Sequence, residues 1–174
     1  MRSMANKARV FELAHLIGKR VPALSGEFGR PAYSGAIKVF WEEFRAGQED
    51  AQKWHLYPNA TEGEYLADFM LLEDGYGPRI ACESELAPRG GDVEWDFDKL
   101  RGIKADIKVL IHQCDSKELM DKLKTYLADN ALITRDEAYL LVKLCRDKTE
   151  SHWWKPEREG PFTATEINFQ PIPA

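Results

Sequence analysis

Hydrophobic and polar positions along the chain predict an alternation of helices and short strands. Residues 5 to 18 carry Val10, Leu13, Ala14 and Ile17 on one stripe, the spacing of an amphipathic helix. Leu24 to Pro31 reads as a loop. Ser34 can cap a second helix running to about Ala46, with Ile37, Phe40, Trp41 and Phe44 on its apolar side. Residues 52 to 58 alternate weakly and predict a short strand ending at Pro58. Two apolar runs follow, 64–72 and 78–86, separated by Glu73-Asp74-Gly75-Tyr76-Gly77, and predict a hairpin.

Beyond the Pro88-Arg89-Gly90-Gly91 loop, Asp92 can cap a helix carrying Val93, Phe97, Leu100 and Ile103. Ile107 to Ile111 is a buried strand. Asp115-Ser116-Lys117-Glu118 has capping-box spacing, and the helix after it shows Leu119, Leu123, Tyr126 and Leu127 on one face. Ala138 to Cys145 is the next strand, so strand, helix and strand imply a crossover to a parallel neighbour. The tail alternates through Thr163, Thr165, Ile167 and Phe169 as an edge strand would. The Trp153-Trp154 pair before it can pack an edge, form a dimer contact or stack bases.

At 174 residues the chain has the length of one domain with a proper core. Lys7, Arg9 and Glu12 interrupt the N-terminal apolar positions, so no signal-peptide core is read there, and no run approaches a transmembrane span. The three cysteines form no CxxC pair. Cys82 and Cys145 lie in apolar runs, which points to buried reduced thiols in a cytoplasmic protein. The glycines of the 24–31 loop lack a Gly-Lys-Ser/Thr ending, so a phosphate loop is rejected and no organic cofactor is expected.

Net charge is −5, which argues against a general nucleic-acid-coating protein. The charge is uneven, however. Residues 1–50 hold 8 basic and 6 acidic side chains, whereas 51–112 hold 7 and 12. The acidity therefore concentrates around the hairpin.

That hairpin sets carboxylates inside apolar strands, a costly placement unless something pairs with them. A symmetric even-length loop centred on Gly75 and Tyr76 pairs residues whose numbers sum to 151, and so sets Asp68 opposite Glu83. Directly opposed residues share a face, with Cβ atoms about 4.5–5.5 Å apart. Glu85 returns to that face because strand side chains alternate. An odd loop would slip the register by one. Three carboxylates on one spot need a proton, a basic side chain or a cation between them, and hard oxygen donors suit Mg²⁺, Mn²⁺ or Ca²⁺ rather than zinc. The alternative is a charged sheet face neutralised by neighbours, with Arg79 on the face of Glu83 by parity. Such close carboxylates leave little room for a sugar between them, which disfavours glycoside hydrolysis. The histidines have no metal-ligand spacing, although His112 at a strand end can approach the site.

The order helix, strand, strand with Asp68, strand with Glu83-Ser84-Glu85, helix, strand resembles the αβββαβ core of the PD-(D/E)XK, or restriction-endonuclease-like, superfamily. The likeness covers roughly residues 34 to 113. It implies one α/β domain with a mixed central sheet flanked by helices and a core of about 34–145. An N-terminal helix and a C-terminal edge strand extend that core. The resemblance assigns Mg²⁺ or Mn²⁺ to Asp68 and Glu83, with Glu42 or Glu43 as the acidic residue of the first core helix. The superfamily's lysine, two residues after the glutamate, is replaced by Glu85. Some active restriction endonucleases of this superfamily carry Glu-Ser-Glu here, including the one that cuts GGATCC. In other members the lysine has moved to the next helix, where Asp96-Phe97-Asp98-Lys99-Leu100 offers Lys99, with Lys104 as a competitor.

The implied reaction is metal-assisted hydrolysis of DNA phosphodiester bonds. Glu85 would be the general base or hold a second metal's water, and Lys99 would orient the nucleophile or stabilise charge on the phosphate. The competing expectation is a catalytically inactive nuclease fold serving as a nucleic-acid-binding or protein-interaction module, motivated by the replaced lysine and the acidic charge.

Overall fold

The computed structural model describes residues 5–27, 33–57, 66–86, 90–113, 118–129, 136–145, 148–157 and 160–174. Glu64, Tyr65, Pro88, Arg89, Cys114 and most of the expected capping box (residues 115–117) lie outside the described residues.

Long helix α1 (Lys7–Glu27) runs past the stop expected near residue 18. Pro22 has no N–H for the Gly18 carbonyl, and the Thr149 hydroxyl donates to that carbonyl instead, at 3.5 Å. A tertiary contact thus supplies part of what the local sequence lacks. Helix α2 (Tyr33–Ala46) follows, with Ser34 inside its first turn rather than at a cap. A 3₁₀ turn (Ala51–Lys53) leads into β1 (Trp54–Tyr57). Then come β2 (Phe69–Glu73), β3 (Gly77–Glu85), α3 (Gly90–Gly102), β4 (Ile107–His112), α4 (Leu119–Ala128), β5 (Ala138–Leu144), β6 (Thr149–Trp154) and β7 (Gln170–Pro171). Asp92 lies in the first turn of α3, not at its cap.

The seven strands form one mixed sheet in sequential order. β1, β2 and β3 are antiparallel neighbours. β4 runs parallel to β3, and β5 parallel to β4, because α3 and α4 return the chain to the starting edge of the sheet. β6 and β7 are antiparallel additions. Alternation along the strands divides the core in two. Leu71, Ile80, Cys82, Val109 and Leu140 pack against α1 and α2, whereas Met70, Ala81, Leu110, Tyr139 and Leu141 pack against α3 and α4. Among the described residues no helix is long and apolar enough to cross a membrane.

Two strand expectations change. β6 was not foreseen, because Thr149-Glu150-Ser151-His152 shows no apolar alternation; its pairing with β5 makes it a strand. The expected edge strand through 163–169 is instead a turn followed by the two-residue β7. The Glu166 carboxylate accepts from the Thr163 N–H at 2.8 Å and from its hydroxyl at 3.1 Å. These local side-chain bonds compete with a strand ladder. Phe162, Ile167 and Phe169 still bury themselves on the α3/α4 face. The tryptophan pair is also packed, Trp154 against Tyr139 and Phe162 and Trp153 edge-on to Phe11.

The hairpin reaches its register by an unforeseen route. Glu73 pairs with Gly77, so the loop holds three residues, an odd number, and the register beside it sums to 150. A bulge opposite Leu71 and Leu72 then inserts Arg79, and beyond it Leu71↔Ile80, Met70↔Ala81 and Phe69↔Cys82 sum to 151. Pro78, which has no N–H to offer a ladder, fits beside such a bulge. The insertion moves Arg79 off the face of Glu83. It lies with Ile80 and Ile107 beneath α1 and α2, paired to Glu73 at 3.1 Å and Asp106 at 2.8 Å.

Gly75 and Gly77 have φ of 79° and 82°. A Cβ at Gly77 would meet no atom within 4 Å, so Gly77→Ala isolates backbone strain. The expected cost is about 1–2 kcal/mol, read as a lower urea midpoint with an unchanged slope. An unchanged midpoint would mean that the turn does not hold this conformation in solution.

Candidate active site

Glu83 stands in the middle of the sheet. Its neighbour Cys82 packs on the α1/α2 side, while Glu83 meets Lys99 of α3 and is 0 % exposed. One step beyond the last hairpin pair, the register brings Asp68 opposite it. The Asp68 carboxylate closes the end of the ladder, with Oδ2 accepting from the Ser84 N–H and the Ser84 hydroxyl, each at 2.8 Å. Oδ1 is thereby the oxygen with which Asp68 would meet a cation.

Helix α3 buries Val93, Phe97 and Leu100 on the sheet. That orientation carries Asp96 and Lys99, one turn apart, along its flank. Lys99 Nζ lies 2.9 Å from Glu83 Oε1 and 2.9 Å from Asp96 Oδ1. Among the described residues, the buried Glu83 Oε2 has no hydrogen-bond partner.

These placements set the protonation energetics. Burial raises the Glu83 pKa from 4.5 to about 7; Lys99 works against that rise, and the charges of Asp68 and Asp96 add to it. Asp96 is raised for the same first reason, burial, again against Lys99. Burial opposes the charge on Lys99, but its bonds to Asp96 and Glu83 outweigh that effect and hold its pKa above the usual lysine value.

A second buried charge on this face provides the contrast. Lys108 is 2 % exposed, yet its ammonium has Glu137 at 3.1 Å, the Tyr139 hydroxyl at 3.2 Å and the Arg101 carbonyl at 3.4 Å. That cluster is satisfied internally. Glu83 is not, and an orphaned buried carboxylate oxygen is costly.

Glu85 lies two residues along β3, half-buried on the same face. Its register neighbour on β4 is His112, whose neighbour on β5 is Lys143, and Lys143 pairs with Glu150 of β6 at 3.8 Å. Ionisable side chains therefore continue across the sheet from Glu85. Asp68, Glu83 and Lys99 come together, but the expected convergence of three carboxylates does not: among the described residues no three His, Cys, Asp or Glu side chains are grouped as a metal site.

Glu42 and Glu43 do not join this site. Both belong to α2, which covers the opposite face of the sheet. Glu42 is exposed, and Glu43 accepts from Arg20 of α1 at 2.7 and 2.8 Å. Lys104, the competing lysine, is exposed beyond the end of α3. The sequence reading did not single out Asp96 or Ser84. Asp96 had a usable signal, its i,i+3 spacing to Lys99. Ser84 had none, because its role depends on where Asp68 ends.

No family model matches this chain, and neither the curated proteins nor the solved structures contain a match.

Proposed function

We propose that this protein is a metal-dependent nuclease that hydrolyses phosphodiester bonds of DNA. In this reading β1–β4 with α2 and α3 form a restriction-endonuclease-like core. The observation that carries it is Lys99, which reaches Glu83 from the helix at 2.9 Å beside Asp68. Two carboxylates and a lysine on one face are the groups that phosphoryl transfer needs, and here the lysine comes from α3 instead of β3.

The donor set suits Mg²⁺ or Mn²⁺: both side chains offer hard oxygens, and Glu83 Oε2 is buried with no partner among the described residues. Asp68 and Glu83 would hold the ion. An ion held there would polarise a phosphoryl oxygen and lower the pKa of a bound water. Lys99 donates to the phosphate oxygens as negative charge grows on them. Glu85 accepts the proton of the attacking water while the new P–O bond forms and the bond to the leaving oxygen breaks.

The Lys99 ion pair also favours a second reading, in which lysine neutralises the carboxylates permanently and the fold serves only as a binding or interaction module. Mn²⁺ separates the two. At ten times its dissociation constant, a bound ion adds about 1.4 kcal/mol, a rise of about 3–5 °C in melting temperature for a domain of this size. The nuclease reading expects that rise, its loss in Asp68→Asn, and Mn²⁺-dependent nicking of plasmid DNA. With no rise and no nicking at millimolar Mn²⁺, the carboxylates are structural.

A further inference from the structure

Resting on the nuclease reading, we propose that Trp95 is a substrate-contacting residue that stacks on an unpaired base next to the phosphate held at Asp68, Glu83 and Lys99. Large aromatic side chains are seldom left in water without use. Of the five tryptophans, Trp41, Trp54 and Trp154 are buried and Trp153 packs on Phe11, whereas Trp95 is 68 % exposed. It makes no aromatic contact among the described residues.

Its position supplies the second argument. Trp95 and Lys99 are four residues apart on α3, neighbours on one side of the helix with Cβ atoms about 5–6 Å apart. Trp95 therefore lies one turn along the same side of the helix from the lysine that contacts Glu83. A further apolar side chain, Leu66, is 61 % exposed two residues before Asp68.

Electrostatics around the indole do not forbid a polyanion. Of the four acids of α3, Glu94 pairs with Lys122, Asp98 with Arg101, and Asp96 shares Lys99 with Glu83, which leaves the exposed Asp92. A base offers its π-face to an aromatic ring whatever its identity, so contact of this kind is tolerant of sequence. It requires the base to be free of its partner strand. The preferred substrate is thus a single-stranded or locally opened segment.

The test is fluorescence anisotropy with a fluorescein-labelled 12-nucleotide oligothymidylate in EDTA, followed by cleavage of the same oligonucleotide with Mn²⁺. Trp95→Ala is expected to weaken binding about 5- to 150-fold, raising KM while leaving kcat nearly unchanged. Trp95→Phe is expected to retain most of the affinity. Removing the base at one position should cost the unmodified protein a similar factor and cost Trp95→Ala nothing further. A duplex of the same sequence should bind more weakly and ignore the substitution.

If Trp95→Ala leaves Kd and KM unchanged while Asp68→Ala stops cleavage, the stacking role is wrong and the hydrolytic reading stands. Equal effects on duplex and single strand would overturn the unpaired base. If the unmodified protein nicks plasmid DNA with Mn²⁺ but neither binds nor cleaves the oligonucleotide, the unpaired-base role falls and the hydrolytic reading stands; if it does none of these, both fall.

Discussion

On the proposed nuclease reading, Asp68→Ala and Glu83→Gln are each expected to bring Mn²⁺-dependent nicking of supercoiled DNA to the background rate, and Lys99→Met to lower kcat by about 10²–10³-fold. The difference in expected size follows from the chemistry of each group. In that reading Asp68 and Glu83 would be the two oxygen donors for the ion, and Glu83→Gln replaces a charged donor by a neutral amide. Lys99 acts on charge that grows during the reaction, so its loss resembles that of a single preorganised donor. Raising Mn²⁺ should partly rescue Asp68→Ala but not Lys99→Met. Two controls test the geometry. Glu43→Gln should nick at the unmodified rate, because Glu43 pairs with Arg20 on the other side of the sheet. Lys104→Met should do the same, because Lys104 is exposed past the end of α3. Nicking that survives in both carboxylate variants would show that the site is elsewhere.

Glu83 also ties folding stability to pH. Its pKa rises from 4.5 to about 7 on folding, so between those values the folded chain holds a proton that the unfolded chain has released. Stability falls with rising pH wherever the folded state binds more protons. The contribution of this carboxyl is therefore present below pH 4.5 and lost as pH rises through about 7. The full shift amounts to about 3 kcal/mol. Glu83→Gln cannot ionise and should lack this loss: near the unmodified protein in stability at pH 4.5, it should be the more stable of the two at pH 8. Urea melts of both proteins at the two pH values, taken without metal, give the difference directly. Parallel pH profiles would mean that Lys99 holds Glu83 ionised in the folded state throughout. The same titration sets the metal dependence. A protonated carboxyl is a poor ligand, so stabilisation by Mn²⁺ should grow as pH rises through 7.

Much of the fold was legible because its elements are locally consistent. The apolar stripe of α2, the buried runs of β2, β4 and β5, and the spacing in α4 each carry their own period. What failed did so where local signals met tertiary partners. α1 continues through Pro22, where Thr149 reaches the Gly18 carbonyl from β6. β6 is too polar to announce itself and exists through its ladder to β5. At 163–169, Glu166 folds back on Thr163 and replaces the alternation that had suggested a strand.

The hairpin shows the same division. By itself the sequence determined that Glu83 would sit in an apolar strand with Asp68 across the turn from it, and that the next helix would carry Lys99; it set Asp68 inside a strand, whereas β2 begins one residue later at Phe69. Only the tertiary structure decided how they meet. A three-residue loop would have slipped the register, and the bulge at Arg79 restored it, sending that arginine to the opposite face to pair with Glu73 and Asp106. With Arg79 removed, the cation beside Glu83 is Lys99, shared with Asp96. Glu85, two residues along β3, has His112 as its neighbour on the adjoining strand. The physical reason is that spacing fixes the face of a strand only while its pairing is regular. One inserted residue exchanges the faces, and the partners of a buried charge change with them.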